Sequence, residues 1–225
     1  MLTKGIKFVN FKKKINSPKI KKILQTIIDS DSQIINSLKK KYIYSFKKKQ
    51  IVKYKKFSKF RVIGMGGSIL GTQTIYDFLK HKIKKNFFFI NNLQSNEVKK
   101  KNKHLNIVVS KSGNTIETII NSNILIKKKD KSIFITENKK TYLFNLAESL
   151  KSEIIHHNNF IGGRYSVLSE VGMLPAELMN LNSSKFKQFN NLIKNKSFLK
   201  NLIANVAATI SLIQNKKYNS IIINY

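Results

Sequence analysis

Three short segments combine residue types suited to holding an anion. The first is Gly64-Met65-Gly66-Gly67-Ser68-Ile69-Leu70-Gly71, which stands between an apolar run and a stretch of helical pattern. Glycines let backbone pass close to a ligand, and a helix N-terminus presents free N–H groups and the positive end of its dipole. A dinucleotide-binding G-x-G-x-x-G would need glycine at Ile69, and a Walker loop would end in Gly-Lys-Ser/Thr; neither is present. The second segment is Ser110-Lys111-Ser112-Gly113-Asn114-Thr115-Ile116-Glu117-Thr118. Its hydroxyls and N–H groups could hold a phosphate without a metal. The third, Ile161-Gly162-Gly163-Arg164-Tyr165-Ser166, brings a diglycine beside a guanidinium. Arginine offers a planar fork that lysine does not.

Each segment also has a plainer reading. The glycines of the first could serve a tight turn and packing alone. Asn114 or Thr115 could be an ordinary helix cap, with Glu117 or Thr118 completing a capping box. Arg164 could be a surface residue. Two Ser/Gly loops after neighbouring strands favour a shared ligand, because parallel sheets bind ligands beyond the carboxyl ends of their strands. His156 and His157 are adjacent, so on a strand they face opposite sides. No third ligand accompanies them, and both read as structural. The chain has no cysteine, which rules out disulfides and thiolate metal sites. No metal site is expected.

The elements that must position these loops follow from hydrophobic pattern. Apolar runs at Phe60–Ile63, Phe87–Ile90, Leu105–Val109, Ser132–Ile135 and, more weakly, Glu153–Ile155 read as strands. Leu70–Leu79, Thr115–Ile126 and Tyr142–Leu150 between them have helical length and spacing. Alternating strands and helices imply βαβ units and a doubly wound parallel α/β sheet, covered on both faces. Residues 1–52 are expected to form an N-terminal helical segment, with apolar positions from Ile20 to Ile28 and at Ile34, Ile35 and Leu38. Residues 53–180 form the central α/β domain. Residues 181–225 read as the truncated opening of a second one, with helices over Leu192–Ile203 and Val206–Ile213 and a strand at Ser220–Asn224.

The 225 residues carry 43 Lys+Arg against 11 Asp+Glu, a formal net charge of +32. That charge invites a nucleic-acid reading. Against it, only Arg61 and Arg164 are arginines, and arginine is the better tool for bidentate phosphate and base contacts. The lysines are scattered, and Asn, Ile and Phe share their A/T-rich codons. A solvated polar surface is the expectation, with no nucleic-acid partner. Mean hydropathy is −0.26, and no apolar run approaches the roughly 18 residues of a membrane helix. No secretory signal is visible at the N-terminus. A cytoplasmic protein without membrane association fits.

The three segments together resemble glucose-6-phosphate isomerases. Gly-Met-Gly-Gly-Ser-Ile-Leu-Gly is similar to the glycine-rich turn of sugar-isomerase (SIS) domains, and Ser-Lys-Ser-Gly-Asn-Thr-Ile-Glu-Thr to the isomerase phosphate loop. Gly-Gly-Arg-Tyr-Ser, with Ser169 and Gly172, resembles the family's more specific signature. The likeness covers about residues 55 to 180. It implies interconversion of glucose 6-phosphate and fructose 6-phosphate through a cis-enediolate, with no metal or nucleotide cofactor. It implies phosphate contacts from Ser110, Ser112 and Thr115 and the Lys111 backbone, with Gly67 and Ser68 beside the sugar. It puts Arg164 near the developing charge of the intermediate. The resemblance further implies a homodimer at full length. It places the catalytic glutamate, ring-opening histidine and a lysine after residue 225, so this chain is expected to be an N-terminal portion that binds without turning substrate over. Glu170 and Pro175 depart from the family, which is apolar or small there, and Gly113-Asn114 is a variant associated with shorter bacterial forms. A non-catalytic SIS regulator is the alternative; the arginine signature and the lack of a recognisable helix-turn-helix argue against it.

Overall fold

The computed structural model describes residues 17–93 and 104–215. In chain order its helices and strands are α1 (Pro18–Asp29), α2 (Gln33–Leu38), α3 (Lys48–Val52), β1 (Lys59–Gly64), α4 (Leu70–Leu79), β2 (Asn86–Ile90), β3 (Leu105–Val109), α5 (Ile116–Leu125), β4 (Ser132–Thr136), α6 (Tyr142–Ser149), β5 (Glu153–His156), α7 (Glu170–Leu178), α8 (Phe189–Ile193) and α9 (Lys196–Gln214). They fall into two compact units. One comprises residues 41–187; the other joins the stretch before it to the stretch after it.

The second unit contains α1, α2, α8 and α9, with α9 packing on α1 and α8. Pro18 opens α1, where its missing N–H costs nothing, and the Ser17 hydroxyl accepts from Ile20 N–H at 3.4 Å. The expected pause near residues 204–205 does not occur: α9 runs unbroken for 19 residues. Ala204 and Asn205 contain no breaker, and the real interruption lies earlier, where the Asn195 side chain caps the Phe198 N–H at 2.9 Å. The strand expected at Ser220–Asn224 lies outside the described residues.

The unit of residues 41–187 is a five-stranded parallel sheet, ordered β2-β1-β3-β4-β5. The α/β expectation therefore holds, with strands within a residue or so of the apolar runs. Strand alternation divides the core. Phe60, Val62, Leu105, Ile107, Val109, Ile133 and Ile135 face one side with Ile75 and Tyr76 of α4 and Val171, Met173 and Leu174 of α7. Ile63, Val108 and Phe134 face the other with Leu125, Leu143 and Ala147 of α5 and α6. β3 and β4 are buried at every position, as expected for central strands with both faces covered. Arg61 is half-buried and donates to the Leu125 carbonyl at 2.9 Å, satisfying the C-terminal end of α5. One of the two arginines thus has a structural task.

α7 is the element the sequence hides. All nine of its residues are buried, and Pro175 lies inside it. A proline there has no N–H for the carbonyl four residues back, Val171. The Thr72 hydroxyl of α4 donates to that carbonyl instead, at 3.1 Å. Glu170, at the helix start, is likewise buried; its Oε1 accepts from Tyr42 OH at 2.9 Å and from Ser45 N–H at 3.1 Å. Both residues are thus accommodated by specific partners.

His156 is exposed and His157 fully buried, so the pair does face apart. His157 Nδ1 lies 3.1 Å from the Asn158 carbonyl, which can only accept, so Nδ1 carries the proton. Burial pushes the imidazole below its ordinary pKa, opposed by that hydrogen bond and by Glu170. A depressed basic pKa means that the unfolded chain binds the extra proton first. Stability should therefore fall as pH drops below about 6.5. Urea unfolding at pH 7.5 and 5.5 checks this: the native chain should lose more stability over that interval than His157→Leu does. Equal losses would remove His157 as the cause.

Candidate sugar-phosphate site

Parallel strands deliver their following loops to one edge of the sheet. Here β1 delivers residues 65–69, β3 delivers Ser110–Thr115, and β4 delivers Glu137. They border an open cleft of about 370 Å³, lined by Met65, Gly67, Ser68, Lys111, Ser112, Thr115, Glu137 and Gly163.

The glycine-rich turn is a single 3-10 turn, Gly66–Ser68, closed by Ser68 N–H to Met65 O and Ile69 N–H to Gly66 O, both at 3.1 Å. It is pressed against a second 3-10 stretch, Gly163–Leu168. A Cβ on Gly67 would lie 2.3 Å from the Gly163 carbonyl carbon, so backbone meets backbone directly. Ser166 ties the two together, its hydroxyl 2.8 Å from Gly163 O and 3.3 Å from Gly67 O. Packing and ligand approach are thus compatible uses of the same glycines.

The Ser110–Thr115 loop is shaped from below. Gly113 has φ of +66°, and a Cβ there would fall 2.0 Å from the Thr141 hydroxyl, which excludes any other residue. Its carbonyl accepts from Leu143 N–H at 3.0 Å, and Asn114 Oδ1 accepts from Tyr142 N–H at 3.1 Å. Gly113 and Asn114 therefore serve the start of α6, leaving the rest of the loop to face the cleft. Thr115 is the N-cap residue of α5, yet no side chain caps that helix. The Thr115 hydroxyl instead lies 3.0 Å from Ser110 Oγ and 3.5 Å from Ser112 Oγ. Three hydroxyls thus cluster at an uncapped helix start, where the dipole favours an anion. The capping-box alternative is not the one adopted; Glu117 sits in the first turn of α5 without closing such a box.

Five of the seven sequence-predicted site residues, Gly67, Ser68, Lys111, Ser112 and Thr115, line the cleft, and Ser110 is buried just behind Thr115. Arg164 does not line it. It is exposed on the 3-10 stretch immediately after Gly163, which does. Met65 and Gly163 stand inside two of the motifs but were not expected as site residues, and Glu137 was missed altogether. Glu137 is an acid alone after a strand, and only the sheet order brings it beside Lys111. Among the described residues no group of three His, Cys, Asp or Glu side chains could hold a metal, and no helix is long and apolar enough to cross a membrane.

Known proteins share sequence and fold with this chain. The chain is 34% identical over 157 residues to a glucose-6-phosphate isomerase of Methanocaldococcus jannaschii, which covers 62% of this chain and 38% of that one. It is 32% identical over 179 residues to the glucose-6-phosphate isomerase of Mycoplasma mycoides subsp. mycoides SC, covering 70% and 42%. It spans well under half the length of these relatives. A hypothetical protein of Thermus thermophilus has a similar fold, with a TM-score of 0.61 and 18% identity over 86% of this chain and 51% of that one. The family model for phosphoglucose isomerase matches residues 33–215, and the chain belongs to that family.

Proposed function

We propose that the protein to which this chain belongs interconverts glucose 6-phosphate and fructose 6-phosphate, and that this chain supplies the grip on the substrate. The observation that carries the reading is the meeting of all three motifs at one cleft. The hydroxyl cluster of Ser110, Ser112 and Thr115 sits on one wall. Gly67, Ser68 and Gly163 form the other.

The phosphoryl group is held by the three hydroxyls, the Lys111 backbone N–H and the start of α5, which suits a dianion that takes no part in bond-making. The sugar lies along Gly67 and Ser68, which line the cleft opposite the hydroxyls. Aldose–ketose exchange moves a proton between neighbouring carbons through an enediolate, whose oxygen charge needs a fixed donor. Arg164 fills that role in this reading, reaching in from beside Gly163. The proton itself needs a carboxylate base. Glu137 is the acid lining the cleft among the described residues, and it is ion-paired with Lys111 and Lys139. We therefore assign the base to another part of the full-length protein. The reading carries with it a cytoplasmic homodimer.

Three measurements check it. In the 225-residue chain, Thr115→Val should weaken glucose 6-phosphate binding by roughly ten- to a hundredfold, the value of a hydrogen bond to a charged group. Calorimetric titration reads this, and an unchanged affinity would detach the loop from the phosphate. In the full-length enzyme, Arg164→Lys should lower kcat by about a hundredfold while KM moves by less than about threefold. A native kcat would take Arg164 out of the mechanism. The 225-residue chain alone should show no turnover.

A further inference from the structure

Glu137 is a carboxylate in a cleft whose other polar groups suit an anion, which calls for an explanation. It is the first residue after β4, largely buried, and it grips Lys111 at two points. Its N–H donates to the Lys111 carbonyl at 3.1 Å, and its Oε1 lies 3.6 Å from the Lys111 ammonium. Its Oε2 lies 3.2 Å from the ammonium of Lys139. Lys111 itself stands between Ser110 and Ser112, in the middle of the hydroxyl cluster. Its side chain is 32% exposed. With no counter-charge, a lysine so placed would turn its ammonium onto a bound phosphoryl group.

We propose that Glu137 is a positioning residue that sets the anion affinity of the cleft, drawing the Lys111 ammonium back so that hydroxyls and backbone N–H groups hold the phosphoryl group. This rests on the reading of the cleft as a sugar-phosphate site and adds a residue and a role to it. The physical logic is one of charge. A carboxylate near a bound dianion weakens binding by like-charge repulsion, and it also occupies the nearest cation. What remains is a ring of neutral donors and a helix start, strong enough to orient the ligand and weak enough to release it. The backbone bond from Glu137 N–H to Lys111 O fixes the loop relative to β4. It survives any substitution except proline, so the side chain's effect can be read separately from the loop's shape.

The test uses the 225-residue chain, with inorganic phosphate and glucose 6-phosphate as separate probes, followed by amide NMR shifts at Ser112 and Thr115. Glu137→Gln should bind both probes roughly three- to tenfold more tightly at low salt, through the loss of one nearby negative charge. The gain should shrink as salt rises. Glu137→Asp, which keeps the charge, should return the affinity toward the native value, and adding Lys111→Met to Glu137→Gln should remove the part of the gain that the freed ammonium supplies. A purely structural role predicts weaker binding in place of tighter. Unchanged or weaker binding by a natively folded Glu137→Gln chain would overturn the proposal. If that variant fails to fold, Lys111→Met alone decides. It should cost less than about threefold in phosphate affinity, because the ammonium is held off the ligand. A loss beyond tenfold would mean that Lys111 contacts the phosphate directly and would overturn the proposal. A native chain that binds neither probe would defeat the sugar-phosphate reading itself, and this proposal with it. Native binding without the Glu137→Gln gain would defeat this proposal alone.

Discussion

The cleft depends on a place where two stretches of backbone touch with no side chain between them. Gly67 lies against Gly163, and a methyl group at Gly67 would occupy the space of the Gly163 carbonyl. The contact joins the turn after β1 to the segment after β5, although β3 and β4 separate those strands in the sheet. Ser166 bridges both carbonyls and fixes the pair. The same principle recurs nearby at lower stakes, where Gly71 and Gly172 both lie against Val167. Close packing at this density leaves little room for adjustment. The glycine-rich turn, the arginine segment and α7 are therefore packed directly on one another.

Against that body stands the Ser110–Thr115 loop, which is held by different means. Its shape comes from a left-handed Gly113 and from two bonds given to the start of α6. Its hydroxyls bond to each other and leave the start of α5 uncapped. A helix start left uncapped in this way is suited to an anion. One wall is thus set by packing and the other by hydrogen bonds, and the cleft between them is the consequence of parallel strands ending together.

Much of this was legible in the sequence, for reasons that differ by element. Leu105–Val109 is a continuous apolar run because β3 is central and covered on both faces, and its bounds can be read directly. Leu70–Leu79 is equally plain, being a helix opened by glycines. The loops could be named from their composition. α7 could not, because Pro175 inside it argues for a break, and only the tertiary donor Thr72 makes the helix tolerable. Glu137 was illegible for a related reason. Its meaning lies in Lys111 and Lys139, and the first of these is 26 positions away. The exchange between Gly113-Asn114 and the start of α6 was hidden in the same manner, since a cap for the next helix looks like a cap for its own.

If the Gly67–Gly163 contact builds the cleft, Gly67→Ala in the 225-residue chain should damage fold and binding together. Thermal unfolding and a glucose 6-phosphate titration would be measured on the same sample. The expected result is a folded protein of lower melting temperature, by a destabilisation of about 1–3 kcal/mol from overpacking, whose affinity for the sugar phosphate falls at least roughly tenfold because the wall bearing Ser68 has moved. A variant with native affinity and native melting temperature would contradict it.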